Sequence, residues 1–345
     1  MKRVRKIFRP GCFVFLLTFL ACLQFVPAFR GVGVAEDKIV VKMVGTLPIQ
    51  HHLTKALEMY RDIVEKAAKD RVVFQLYPAQ ELYNDKDIVA AMPKGAVEGA
   101  IINPDLWAGL VPSEGITYFS CYYPSREKYY RLFESEVWQI IKRDFEERNV
   151  KLLSMIEYGS MSVISKKPIT RMEDFKSLRT RTNGEYIALF IRALGGAPVV
   201  TSSSDVYLML QRGTIDAALS GPSTFVDRKW YEVAKYYLET DTHVSSTFLL
   251  GFHLGFWKKL PPDLQNIFQN AAIEVQNWTR QYSYEADVKY RKFLSEKGLV
   301  FTHIEPKEWE RWKTKAAPEL EAAFKKNVGQ EKGQKMIDIV RKVCF

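Results

Sequence analysis

The chain has 345 residues, 47% of them apolar and 26% charged, a globular composition with room for two domains that each bury a core. Its formal charge of +10 is concentrated at the N-terminus: residues 1–35 carry Lys2, Arg3, Arg5, Lys6, Arg9 and Arg30 and no acid, and the remainder holds 44 basic against 40 acidic side chains. That near balance, with no basic run interleaved with aromatics, argues against a nucleic-acid face.

The first 35 residues read as a signal peptide. Lys2–Arg9 is basic, Cys12–Phe29 is an apolar run, and Gly33-Val34-Ala35 offers small residues before Glu36-Asp37, so cleavage is expected after Ala35. A competing site at Phe19-Leu20-Ala21-Cys22 would leave Cys22 for a lipid, and an uncleaved anchor is a third option. No other stretch reaches the ~18 apolar residues of a membrane span, so the expectation is a soluble, exported, periplasmic chain. Two cysteines remain beyond the leader, Cys121 and Cys344. They read as independent buried thiols, with pairing in an oxidising compartment as the alternative.

From Lys38 the pattern alternates strand and helix. Lys38–Val44 is a β-branched strand, and His51-His52 precedes a helix over Leu53–Lys69 with Leu53, Ala56, Leu57, Tyr60, Ile63 and Val64 as its apolar stripe. Arg71–Tyr77 is a second strand ended by Pro78. A short helix over Asp85–Met92 stops at Pro93, and Glu98–Ile102 is a third strand entering Asn103-Pro104-Asp105. This β-α-β-α-β order predicts a mostly parallel sheet with crossover helices. Leu106–Pro124 is irregular and aromatic, and Arg126–Glu147 reads as one long amphipathic helix. Two strands in close succession, Lys151–Glu157 and Met161–Ser165, read as a ribbon passing from one lobe into another.

Glu173–Pro222 repeats the β-α-β-α-β order. Arg179 and Arg181 alternate along a short strand and should share a face, and Asn183-Gly184 opens a helix closed by Gly195-Gly196. A second short helix from Asp205 stops at Gly213 and runs into Ile215–Leu219. An arginine at a strand end beside a helix N-terminus suits a carboxylate, although solvated arginines on a strand–helix unit explain the local pattern equally simply. Ser223–Trp230 is helical, Tyr236–Thr240 extended, and Ser246–His253 a strand returning to the first lobe. Pro261–Lys297 is the longest helix; at ~1.5 Å per residue it exceeds the needs of one domain and is expected to span two. A strand at Leu299–Ile304 and helices over Lys307–Lys326 and Gln330–Lys342 close the chain.

No enzyme constellation emerges. The sequence has no His-x-x-x-His, Cys-x-x-Cys or Gly-x-Ser-x-Gly pattern, and Ser220-Gly221-Pro222-Ser223 lacks the lysine and spacing of a P-loop. His51-His52 reads as a helix-entry residue beside a solvated one, and no metal or cofactor is implied. Aromatics on connecting segments, Trp107, Tyr118, Phe119, Tyr122, Tyr123 and Tyr158, lie where ligands bind in open α/β sheets.

Several runs together resemble a known family. Lys176-Ser-Leu-Arg-Thr-Arg181, Ala193-Leu-Gly-Gly-Ala-Pro198, Asp205-Val-Tyr with Leu210-Gln-Arg-Gly-Thr-Ile-Asp216, Trp230-Tyr-Glu-Val-Ala-Lys-Tyr236 and Trp257-Lys-Lys-Leu-Pro-Pro-Asp-Leu-Gln265 are similar, in order and spacing, to the signature run of TRAP-transporter solute-binding proteins of the dicarboxylate-binding type. The likeness covers the chain from about Lys38 to the end of the long helix. It implies a two-lobed, periplasmic-binding-protein-like α/β fold with hinge strands and one helix spanning both lobes. The implied division is residues 36–158 plus 247–285 in lobe I and 159–246 plus 286–345 in lobe II.

The resemblance also implies a function: a receptor that closes on a small-molecule carboxylate and delivers it to the membrane permease subunits of a TRAP transporter. The family's ligand arginine corresponds by motif position to Arg181, with Arg179 a lesser neighbour. The chain departs from many members at three positions: Met161 where a second arginine is common, Asn103 where some carry glutamate, and Gly221 where asparagine is frequent. A monocarboxylate with an apolar or aromatic body is therefore expected, lined by Trp107, Tyr158, Met161 and Phe225. A sensor-linked binding protein of the same fold is the alternative, and an exported enzyme is a further one.

Overall fold

The computed structural model describes residues 38–119, 122–240 and 245–344. The leader with its cleavage sites, Cys12, Cys22, Cys121 and His243 lie outside the described residues.

Strands β1 (Ile39–Gly45), β2 (Val72–Tyr77), β3 (Gly99–Ile102), β4 (Val150–Ser160), β5 (Ser162–Ser165), β6 (Arg179–Thr182), β7 (Ala197–Val200), β8 (Ala217–Ser220), β9 (Tyr236–Glu239), β10 (Ser245–His253) and β11 (Val300–His303) form two sheets. The first has the order β2-β1-β3-β10-β4 and the second β11-β9-β5-β8-β6-β7. Neighbours are parallel except around β10, which opposes β3 and β4, and β5, which opposes β8 and β9. Each sheet is thus mostly parallel with one reversed strand, and the reversed strands belong to the segments that pass between the sheets. This is the two-lobed α/β architecture expected.

The helices are α1 (His52–Ala68), α2 (Asp87–Ala91), α3 (Arg126–Tyr130), α4 (Glu136–Glu146), α5 (Glu185–Ala193), α6 (Val206–Arg212), α7 (Pro222–Asp227), α8 (Leu254–Lys259), α9 (Pro262–Glu296), α10 (Pro306–Val328) and α11 (Gln330–Cys344). The single helix expected over Arg126–Glu147 is broken. Ser135 is extended, and its Oγ accepts from the Val137 N–H at 3.2 Å, so it starts α4 as an N-cap and does not continue α3.

Only Met161 separates β4 from β5, so one ribbon links the sheets, and β10 pairs antiparallel along β4 from Ser160 to Val150. Gly159 bends this ribbon at φ +112°, a conformation that favours glycine, and a Cβ there would also press on Asp287 Oδ1 at 3.0 Å. The 35 residues of α9 span about 52 Å. Leu264, Phe268, Ala271 and Val275 enter the core over the first sheet, whereas Leu294 joins Ile164, Phe225, Trp230 and Tyr237 in that of the second.

The terminal helices straddle the expected lobe division. Trp312 of α10 packs against Phe175 and Phe190 on the second-sheet side. Lys332 of α11 pairs with Asp144 of α4, beside the first sheet, at 2.6 Å. Residues 306–344 therefore form a strap across both sides instead of a part of one. Cys344 is a buried free thiol.

Candidate functional site

The loops leaving the parallel strands converge on a cavity between the two sheets, the expected place for a ligand in an open α/β sheet. From the first-sheet side, Leu47 follows β1, Asp85 lies between β2 and α2, Asn103 follows β3, and Tyr158, Ser246 and Phe248 come from β4 and β10. Facing them, Arg181 comes from β6, Asn183 follows it, Ser203 follows β7, and Ser220 and Thr224 belong to β8 and α7. Met161 lines the crossing.

Arg181 is 2% exposed. Its Nε donates to the Thr201 carbonyl at 3.0 Å and Nη1 to the Leu219 carbonyl at 2.9 Å, and the guanidinium carbon lies 5.9 Å from the centre of the Trp230 ring. These contacts fix the plane of the group and leave the remaining Nη hydrogens unused. Burial lowers its pKa to about 10, with Asp85 acting in the opposite direction, so it stays charged at neutral pH. Among the described residues no carboxylate comes within ion-pair distance of it.

Arg179 has a different role. At the entrance of β6 it is exposed, and it chelates Asp216 through Nε and Nη2 at 2.9 and 2.8 Å. Alternation does place both arginines on one face, but the strand advances ~3.3 Å per residue, and only the later one reaches the cavity.

Tyr158 joins the two sides. Its hydroxyl lies 3.0 Å from Ser220 Oγ and 2.7 Å from Thr224 Oγ1, and it accepts the Gly221 N–H at 2.9 Å. Gly221 permits this approach, since a Cβ there would meet Tyr158 Cε1 at 2.6 Å. His51 stacks on the Tyr158 ring at 5.6 Å. Its Nδ1 accepts the Leu53 N–H at 3.1 Å, which leaves Nε2 to carry the proton toward Ser223 Oγ at 3.0 Å. The second histidine, expected to be solvated, is buried as well: His52 stacks on His51 at 4.4 Å. Burial pushes the His51 pKa well below its usual value and that of His52 down to about 4, so both rings are neutral near pH 7.

The sides meet around the cavity. Arg228 donates to the Thr46 carbonyl at 3.1 Å, Gln50 to the Asp227 carbonyl at 3.2 Å and Lys86 to the Val200 carbonyl at 3.3 Å.

Of the residues expected to line the site, Arg181, Asn103, Tyr158 and Met161 do so. Asn103 Oδ1 accepts from the Tyr118 hydroxyl at 3.1 Å. Gly221 acts through Tyr158. Trp107 and Phe225 are not part of the wall: Trp107 is fully buried 5.4 Å from Phe145, and Phe225 packs between Trp230 and Tyr237 at 5.6 and 5.8 Å. Both sit on short helical turns whose inward face is a hydrophobic core, which a large ring fills more favourably than a polar cleft.

Conversely, Asp85, Asn183, Ser203, Leu47, Ser246 and Phe248 line the cavity without having been expected there. Their sequence signal is position, because most lie just past a strand's C-terminal end. Asp85 is hidden by reading as a helix start; the helix begins at Asp87, and Asn84 Oδ1 takes the N–H groups of Lys86 and Asp87, each at 2.9 Å. Among the described residues no group of three or more His, Cys, Asp and Glu is placed to hold a metal, and no helix is long and apolar enough to cross a membrane.

The model of the bacterial extracellular solute-binding protein family 7 matches residues 43–327. A C4-dicarboxylate-binding periplasmic protein of Rhodobacter capsulatus is 24% identical over 277 residues, 77% of this chain and 80% of that one. Among solved structures, a TRAP periplasmic solute binding protein from Desulfovibrio salexigens with bound orotic acid superposes with a TM-score of 0.84 at 21% identity, covering 89% of this chain and 99% of that one. A Bordetella pertussis extracytoplasmic solute receptor binding pyroglutamic acid gives 0.80 at 17% identity, covering 88% and 99%. This chain belongs to the bacterial extracellular solute-binding protein family 7.

Proposed function

We propose that the chain is a periplasmic receptor that captures a small monocarboxylate in the interlobe cavity and delivers it to the membrane subunits of an ion-gradient-driven TRAP permease. The observation on which this rests is Arg181: a buried guanidinium, held flat by two backbone carbonyls, with no carboxylate of the described residues within ion-pair distance and hydrogens still available at the cavity. A carboxylate takes such hydrogens in a fixed orientation, and a desolvated cation without a partner is costly. The acids named for the three relatives all contain a carboxyl group. Met161 and Gly221 stand where family members commonly place further polar contacts, so one carboxylate is the favoured number. Leu47, Met161 and Phe248 supply an apolar wall, and the seryl and asparaginyl groups opposite supply polarity.

The lobes close by rotation about the β4–β5 ribbon, β10 and α9. A thermal-shift panel of organic acids, combined with native mass spectrometry of the purified chain, tests the reading. Monocarboxylates are expected to raise the melting temperature most. Stabilisation by C4-dicarboxylates or sugar acids alone would overturn the monocarboxylate assignment.

A further inference from the structure

Arg181 is not the sole feature of the cavity that calls for a partner. Asp85 is 4% exposed, lines the cavity, and its Oδ1 has no hydrogen-bond partner among the described residues. The turn that places it explains why. Asn84 takes the two nearest backbone N–H groups, of Lys86 and Asp87, and Lys86 itself reaches away to the Val200 carbonyl. Arg181 and Arg228, the cations that sense its charge, are engaged with backbone carbonyls and do not come within ion-pair distance. A carboxylate oxygen accepts and does not donate, and a buried acceptor left without a donor is costly. Two more unpaired atoms, Asn183 Oδ1 and Ser203 Oγ, face the same cavity.

We infer that the ligand is a carboxylic acid that also carries an N–H donor, with its carboxylate on Arg181 and its N–H on Asp85. This rests on the carboxylate reading above and goes beyond it. An N–H group is favoured over a hydroxyl because a hydroxyl brings acceptor lone pairs into a region where the unpaired Asp85 and Asn183 oxygens are already acceptors. Ring-nitrogen acids, lactam acids and amino acids all belong to the class. The enclosed cavity between the two sides limits them to small members.

The test uses pairs of acids: pyroglutamate against its lactone analogue, which differ only in N–H against ring oxygen, and proline against its tetrahydrofuran analogue, where the N–H belongs to a charged ammonium. The full mature chain is titrated calorimetrically with all four. The N–H member of a pair should bind tighter by roughly tenfold or more. Asp85→Ala should reduce that preference to about threefold or less, with Asp85→Asn in between and serving where the alanine variant fails to fold. Arg181→Ala should weaken binding of every acid, on the order of a hundredfold or more. Equal affinity within each pair, a preference that survives Asp85→Ala and Asp85→Asn, or binding confined to acids without an N–H would overturn the inference while leaving the carboxylate reading intact. Pyrrolidinone, which has the N–H and no carboxylate, is the control for that reading: if it binds as tightly as pyroglutamate, or if Arg181→Ala binds acids with undiminished affinity, the carboxylate reading fails instead. Failure of every N–H acid tried to bind also counts against the inference.

Discussion

At the scale of residues, two arginines two positions apart do different work. Arg181 is buried at the cavity with no carboxylate partner among the described residues, whereas Arg179 is exposed and already paired with Asp216. Arg179→Ala should therefore change ligand affinity by about threefold at most, because an exposed, solvent-screened pair contributes little. A calorimetric titration showing a hundredfold loss would contradict this. Gly221→Ala drives a methyl into the Tyr158 ring, which carries the hydroxyl linking Ser220 and Thr224. Overpacking of this kind costs about 1–3 kcal/mol, to be read as a lower urea midpoint together with weakened binding. The motif run made Arg181 legible, but alternation alone could not tell it from Arg179, since both point the same way and only depth along the strand separates them. Asp85 was not legible at all: its inward orientation depends on a local turn closed by Asn84, and nothing in its residue type announces that.

At the scale of elements, the crossing ribbon and the long helix are fastened to each other. Arg126 of α3 binds Asp287 of α9, and Asp287 also accepts from the Ser160 backbone N–H at 3.0 Å, beside the bend at Gly159. Both side chains of the pair are at least nine-tenths buried. Asp287→Ala leaves the guanidinium buried without this partner and should cost about 3–5 kcal/mol in urea unfolding, far more than loss of an exposed pair. Strands and long helices were readable from β-branched runs and apolar stripes, because those patterns report burial directly. The break at Ser135 was not, since the apolar stripe continues through it while the serine caps a new helix. Trp107 and Phe225 show a related limit. An aromatic on a connecting segment faces either core or cleft, and the choice is set by which side of a short turn it occupies.

At the scale of the whole molecule, the contacts from Arg228 to Thr46, Lys86 to Val200 and His51 to Ser223 close the two sides over the cavity. Ligand contacts on both sides should bias that closure. Small-angle scattering is therefore expected to show a smaller radius of gyration with ligand than without, and an unchanged radius would argue against hinge closure. The buried acids set a pH dependence. Burial raises the Asp105 carboxyl to about 7 and that of Glu114 to about 8, so the folded chain holds protons that the unfolded chain releases. Their contribution favours folding at low pH and is lost as pH rises from the ordinary carboxylate range through about 8. His52, neutral in the fold with its pKa lowered from 6.5 to about 4, acts oppositely and costs stability as pH falls through that window. Glu114→Gln should thus flatten the fall of melting temperature with pH between about 4.5 and about 8 and leave the slope below that range unchanged; an unaltered slope within it would contradict the assignment.

The central claim is that one buried guanidinium receives the ligand's carboxylate. Calorimetric titration of Arg181→Ala and Arg181→Lys with the acid that most stabilises the unaltered chain tests it directly. Loss of a charge-assisted, two-pronged contact in a closed cavity predicts an affinity drop on the order of a hundredfold or more for the alanine variant, only partly recovered by lysine. Undiminished affinity in a folded Arg181→Ala protein would contradict the claim.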